Sequence, residues 1–354
     1  MEKLSESRFA GLLEGFRTGD FPDREGWRLL LTSLSGEQAL RLRRLAAETA
    51  AQTFGRGVYI RGLIEISSFC RNDCYYCGLR RSNRHAQRYR LTREEILSCC
   101  RNAAALGFGT FVLQGGEDDG QSDEWIEALV RDIRREFPDH AVTLSVGERT
   151  AGAYRRFREA GADRYLLRHE TRNDGHYARL HPSEMSAGHR RSCLRTLKRL
   201  GFQTGAGMMI GSPGQTVDCL IDDIQFLEEL QPEMIGMGPF VPAAHTPFAR
   251  CSPGTVEQTL RLVALMRLRF PDALIPATTA LSALSADGRL QAILSGANVV
   301  MPNLSPAGVL GRYAIYDGKP YGTGARRGLD VVAAELESIG YHIVCGRGDS
   351  PRTR

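Results

Sequence analysis

The sequence contains no run of about eighteen uncharged apolar residues, so it offers no helix of membrane-spanning length. Its opening stretch, MEKLSESRFAGLLEGFRTGD, is too polar for the apolar core of a signal peptide, and the expected location is the cytoplasm. There is no low-complexity tract, no internal repeat beyond a βα alternation, and no linker rich in Pro, Gly or Ser to mark a second domain. The nine cysteines lack the paired spacing of a disulfide framework. Three cluster and six scatter, which fits reduced thiols. The net charge of +5 is gathered in no block, which argues against a nucleic-acid partner and suits anionic small molecules.

What is present is ordinary for a soluble protein: 354 residues, 42% hydrophobic and 25% charged, enough for one large core or two modest ones. From about residue 58 onward, short β-branched or apolar runs alternate with amphipathic segments opened by Thr, Ser, Asp or Pro. The candidate strands are VYIRGLIEIS, GTFVLQG, AVTLSVG, DRYLLRHE, QTGAGMMIG, EMIGMGPF, LIPATTA and ANVVMPN. Helices such as TREEILSCCRNAAALG and TVDCLIDDIQFLEEL lie between them, several with a capping Thr or Ser followed by Glu or Asp. Such units predict an α/β fold, a (β/α)8 TIM-type barrel, with an open doubly wound sheet as the alternative. Residues 1–56 read as a helical extension packed on the barrel, residues 57–340 as the barrel, and residues 341–354 as a polar, mobile tail. The Arg347-Gly348-Asp349 triplet in that tail is read as chance.

The stretch SSFCRNDCYYCGLR places Cys70, Cys74 and Cys77 within eight positions and offers no fourth cysteine. They follow the first predicted strand, and a barrel builds its active site at the C-terminal ends of its strands. A structural zinc site wants four closed ligands, and the nearest extra candidate is His85. Three unliganded thiols would be an odd use of a cluster flanked by Asn, Asp and Tyr. A cubane [4Fe-4S] cluster on three thiolates keeps one iron open for a substrate's amino and carboxylate groups. C-x3-C-x2-C, with the aromatic Tyr76 just before the last cysteine, resembles the signature of the radical S-adenosylmethionine (SAM) superfamily. That resemblance implies that the reduced cluster passes an electron to the SAM sulfonium, releasing a 5′-deoxyadenosyl radical.

Other predicted strand ends are polar in the same way. In LQGGED, Gly115 and Gly116 would let backbone approach a ligand's ammonium group. By itself a Gly-Gly pair is a turn; its place after the second strand matches the superfamily's GGE-type motif. In DRYLLRHET a period of two puts Leu166, Arg168 and Glu170 on one face and Leu167 and His169 on the other. Two interior charges need partners, which are ligand groups or each other. Thr143 and Ser145 make the interior side of AVTLSVGE polar, PATTA puts Thr278 and Thr279 at the end of the seventh strand, and Arg190 opens a basic helix. The Gly-rich turn in GMMIGSPGQT precedes a Thr-capped helix.

In order, RGLIEIS…CRNDCYYCGLR, RYRLT, LQGGED, VTLSVGE, GADRYLLRHET, TGAGMMIGSPGQT, GPFVPAAHTP, IPATTA and ANVVMPN resemble one branch of that superfamily over residues 56–316: the HydE type of [FeFe]-hydrogenase maturase, related to biotin synthase and methylornithine synthase. By that resemblance Cys70, Cys74 and Cys77 bind the cluster. Tyr76, Gln114, Gly115, Gly116, Glu170 and Arg190 serve SAM, and Thr143, Arg168, Thr278, Thr279 and Tyr316 line the substrate cavity. The family's role is in assembly of the di-iron subcluster, between a tyrosine-lyase-type maturase and a GTPase scaffold, with an external electron donor and an iron–carbonyl–cyanide–cysteine precursor as substrate. Two departures stand out. No cysteine occurs between Cys251 and Cys345, so no second cluster is expected in YDGKPYGTGARRGLDVV, and Gly115 stands where related maturases often have Ser. An amino-acid substrate, as in methylornithine synthase, is the alternative; a non-catalytic iron–sulfur or zinc scaffold is a lesser one.

Overall fold

The structure, a computed structural model, describes residues 4–319 and 325–353. Residues 320–324, inside the stretch expected to lack a second cluster, lie outside the described residues, as do residues 1–3 of the helical extension and Arg354 of the tail. Three helices open the chain: α1 (Glu6–Thr18), α2 (Arg24–Thr32) and α3 (Gly36–Phe54). Ser5, Asp23 and Ser35 cap them through side-chain oxygens, and Ser35 with Gln38 forms a complete capping box. α2 packs on α9 (Val217–Leu230) and α3 on α10 (Val256–Arg269), so this layer lies against the outer ring of the barrel. Arg24 ties it there through Asp218 at 2.7 Å and Asp222 at 3.0 Å.

The barrel strands are all parallel. β1 (Gly57–Ile60) and β2 (Gly62–Ser67) form the first, followed by β3 (Thr110–Gly115), β4 (Ala141–Ser145) and β5 (Arg164–Leu166). The fifth and sixth are each split, into β6 (Gln203–Ala206) with β7 (Met209–Ile210), and β8 (Met234–Ile235) with β9 (Gly238–Pro239). Gly207, at φ 155° between β6 and β7, lies so near Gly236 that a Cβ would fall 1.8 Å from its carbonyl oxygen, so only glycine fits there. The seventh strand consists of single bridges, Met234 to Leu274 and Pro276 to Val299, and β10 (Val299–Val300) is the eighth. Pairing runs β2-β3-β4-β5-β6-β8, with β7 on β9, and β1 on β10 together with the Leu63–Asn303 bridge closes the circle.

Helices α4 (Arg93–Ala105), α5 (Asp123–Glu136), α6 (Ala151–Ala160), α7 (Asp174–Leu180) and α8 (Ala187–Arg199) join α9 and α10 in the connections between strands. The expected strand LIPATTA ends early, because Thr279 begins α11 (Thr279–Leu284), which is followed by α12 (Gly288–Ile293). A Thr-Thr pair reads as strand by its β-branching, yet Thr278 takes the extended N-cap conformation that starts a helix. No helix of the described residues is long and apolar enough to cross a membrane.

After α13 (Ala325–Ser338), the chain end differs from the mobile tail expected of it. β11 (His342–Val344) pairs in parallel with β1, and the residues beyond it form the floor of the barrel. The floor exists because the lower interior is charged. Arg164 is 0% exposed, and its guanidinium meets Asp349 at 2.7 Å and Thr110 Oγ1 at 3.1 Å. Gln203 donates to the same Asp349 oxygen at 2.8 Å, and Arg61 donates to the Gly348 carbonyl at 3.2 Å. A buried guanidinium without such partners would be prohibitively costly. The Arg-Gly-Asp triplet is therefore a structural plug.

Candidate active site

At the opposite, C-terminal end of the strands, the cysteine loop leaves β2 and is tied down on several sides. Arg71 N donates to Glu117 O at 2.8 Å, Tyr75 N to Leu180 O at 3.0 Å, and Gly78 N to Ile315 O at 2.9 Å. Asp73 accepts from Arg80 at 2.9 and 2.6 Å and from the Ser82 hydroxyl at 2.6 Å. Cys70, Cys74 and Cys77 are free, half-buried thiols. Loss of solvent raises the pKa of all three, and neighbouring thiolates add to this at two of them: Cys74 feels Cys77 and Cys70, and Cys77 is pushed up to about 12 by burial and then by Cys70. Three soft thiols carried on one fixed loop fit an iron–sulfur cluster by donor type.

β3 delivers Gln114, paired in register with Glu65 of β2, and ends at Gly115 and Gly116. The two glycines are not equivalent. A Cβ on Gly115 would touch Ile66 at 3.4 Å, an ordinary contact, whereas one on Gly116 would lie 2.2 Å from Phe69 O and 2.7 Å from Cys70 Cβ. The cysteine loop therefore rests directly on the bare Gly116 backbone.

The alternation expected for DRYLLRHE is observed: Leu167 and His169 are buried in the helix layer, while Arg168 and Glu170 face the chamber and pair at 2.8 Å. Glu170 holds φ 64°, a left-handed conformation that a glutamate adopts only under constraint. The constraint is its two backbone bonds, N to Gly207 O at 3.1 Å and O from Met209 N at 3.2 Å. Across the chamber Tyr316 Oη and Thr279 Oγ1 lie 2.7 Å apart. Among the described residues, the buried Thr143 and Thr278 hydroxyls and Arg168 Nε find no hydrogen-bond partner. Orphaned donors of this kind fit a polar, anionic ligand.

Arg190, in the first turn of α8, is buried and lies 2.6 Å from Glu148 Oε1. Burial works against its charge, but Glu148 and neighbouring groups hold its pKa well above the usual value. Burial likewise raises Glu148, with Arg190 opposing. The sequence reading did not single out Glu148, although it is the polar residue closing VTLSVGE at a strand's C-terminal end. His189, Cys193 and Glu148 place ligand atoms within 4.8 Å of one another. With a guanidinium already on Glu148, a second cation there would be repelled, so the group reads as a charge-neutralising cluster. Two further interior groups were also missed: Lys319, paired with Glu65 and bonded to Tyr313 O at 3.1 Å, and His181, bonded to Tyr76.

Comparison with known proteins agrees with this geometry. The model of the radical SAM superfamily matches residues 64–227. The chain is 46% identical over 276 residues to the [FeFe] hydrogenase maturase subunit HydE of Thermotoga maritima, covering 78% of each chain. It is 29% identical over 309 residues to 3-methylornithine synthase of Methanosarcina acetivorans, covering 86% of this chain and 85% of that one. Its fold superposes on the crystal structure of a methylornithine synthase with TM-score 0.82 at 25% identity, over 94% of this chain and 97% of that one. By its cysteine loop, its parallel barrel and this shared sequence, the chain belongs to the radical SAM superfamily, whose members work with a [4Fe-4S] cluster and SAM, and within it to the HydE family of [FeFe]-hydrogenase maturases.

Proposed function

We propose that this enzyme acts in assembly of the [FeFe]-hydrogenase di-iron subcluster, on an anionic, cysteine-ligated iron–carbonyl–cyanide precursor. The observation that carries the reading is the 46% identity to a HydE maturase across 78% of the chain. Cys70, Cys74 and Cys77 hold the cluster, which when bound supplies the electron that cleaves SAM. Arg190 takes the SAM carboxylate in exchange for Glu148, and Glu170, Gln114 and the Gly115-Gly116 backbone hold its ammonium and ribose. Arg168 with the Thr143, Thr278, Thr279 and Tyr316 hydroxyls receives the anionic substrate, whose charge replaces part of the Glu170 contact. Residues 313–319 are stitched to Gly78 and, through Asp317 N to Pro242 O at 3.0 Å, to the loop after β9, and we read them as the cover of the site. Keeping water out protects a reactive carbon radical.

The precursor would come from a tyrosine-lyase-type maturase and the product would pass to a GTPase scaffold, with an external donor reducing the cluster. Anaerobic maturation of apo-hydrogenase, with all other factors and SAM and with or without this reconstituted protein, tests the proposal. Hydrogen production that requires the protein supports it. Formation of 5′-deoxyadenosine without any maturation would move the substrate to an amino acid of the methylornithine synthase type.

A further inference from the structure

The Tyr76 side chain, between two of the cysteines, lies beside Cys74 and reaches toward the end of α7. Its hydroxyl lies 3.1 Å from His181 Nε2, while His181 Nδ1 lies 3.0 Å from the Tyr177 carbonyl oxygen. A carbonyl only accepts, so Nδ1 carries the proton and Nε2 must accept from the Tyr76 hydroxyl. One tautomer of the neutral ring thus satisfies both contacts. His181 is 1% exposed, stacked on Tyr177 at 3.9 Å and met edge-on by Tyr76 at 5.4 Å. Burial holds its pKa down at about 3, which keeps the ring neutral. The bond from Tyr75 N to Leu180 O runs beside it, so side chain and backbone join the same two elements.

We propose that His181 is a positioning residue: through Tyr76 it clasps the cysteine loop to the α7–α8 segment and so fixes the spacing between the cluster thiolates and Arg190. Arg190 stands a few residues further on, in the first turn of α8, and its charge acts on the Tyr177 ring system that carries His181. The clasp rests on the reading in which SAM is held at both ends, by the cluster and by Arg190. A ligand that bridges two chain segments binds best when their separation is set beforehand.

The test is a double-mutant cycle on anaerobically reconstituted protein, with Tyr76→Phe, His181→Leu and the pair. The readouts are iron per chain, and SAM affinity from the change SAM makes in the electron paramagnetic resonance signal of the reduced cluster. Each single variant is expected to weaken SAM binding about 5-fold, the scale of one net hydrogen bond, with iron content unchanged. The double variant is expected to be no weaker than His181→Leu alone, since both changes remove one contact. Tyr76→Phe deletes a single oxygen and keeps the ring, so it answers the question even if His181→Leu does not fold. His181→Gln, whose amide can donate to one side and accept from the other, is expected to restore most of the affinity. Unaltered SAM affinity in Tyr76→Phe, or effects that multiply in the double variant, would overturn the clasp. A wild-type cluster whose signal ignores SAM would overturn the two-ended SAM site itself, and the clasp with it.

Discussion

Gly116→Ala tests how closely the cysteine loop depends on β3. The new methyl would lie 2.2 Å from Phe69 O and 2.7 Å from Cys70 Cβ, against an ordinary carbon–oxygen approach of about 3.4 Å. Relief therefore requires the Phe69–Cys70 backbone to move by roughly 1 Å. Overpacking of this kind costs about 1–3 kcal/mol, and a 1 Å misplacement of reacting groups can cost about 100-fold in rate. The loop cannot yield easily, because Arg71, Tyr75 and Gly78 are bonded to three different elements. Reconstituted Gly116→Ala is expected to hold less than half the wild-type iron, and whatever loads should cleave SAM about 100-fold more slowly. Gly115→Ala, with its nearest contact at 3.4 Å, is the control and should load iron normally. Gly116→Ala protein with full iron and wild-type cleavage would refute the reasoning, as would equal damage from both substitutions.

Cys74→Ala removes one of three thiolates and should abolish cluster assembly; a fully iron-loaded variant would sink the ligand assignment. Glu170→Ala and Glu170→Gly should both weaken SAM binding at least 10-fold with iron unchanged, since each removes the carboxylate. Only glycine is at ease at φ 64°, so the Gly variant should unfold about 1 kcal/mol less readily than the Ala variant, and equal denaturation midpoints would contradict the strain. At the floor, burial alone would raise the Asp349 pKa, but bonds from Arg347 and Gln203 and the charge of Arg164 hold it at about 2. Its unfolded value is near 3.9, so its contribution is complete above about pH 4 and is lost as the pH falls toward 2. That contribution is about 1 kcal/mol once partial exposure is allowed for. Asp349→Asn should accordingly speed amide exchange in β11 several-fold at neutral pH, and unchanged protection would count against the plug.

The strands and the cysteine loop could be read from sequence because their signals are local. Short apolar or β-branched runs mark the strands, with a period of two in AVTLSVGE and DRYLLRHE, and three thiols within eight residues need no tertiary information. DRYLLRHE shows the strength of this: its alternation placed Arg168 and Glu170 in the chamber before any contact was known. Contacts between distant residues could not be read in the same way. His181 is 105 residues from Tyr76, and Asp349 is 185 from Arg164, so nothing in either segment announces the other. Glu148 sat in a quoted motif, but its importance comes from a helix that begins about forty residues later. The C-terminal residues misled for a different reason. Their polarity matches that of a solvated tail, yet polar residues are what a charged barrel interior requires as a floor. Thr278 and Thr279 likewise carry strand propensity, which the start of α11 overrides.

Because the floor is built from residues 342–353, it leaves the ribosome after every one of the barrel strands. Until residues 348 and 349 have been made, Arg61 and Arg164 have neither the Gly348 carbonyl nor Asp349 to meet. A nascent barrel therefore carries two guanidinium groups in an unfinished interior, and its final closure belongs to the period after translation has passed them.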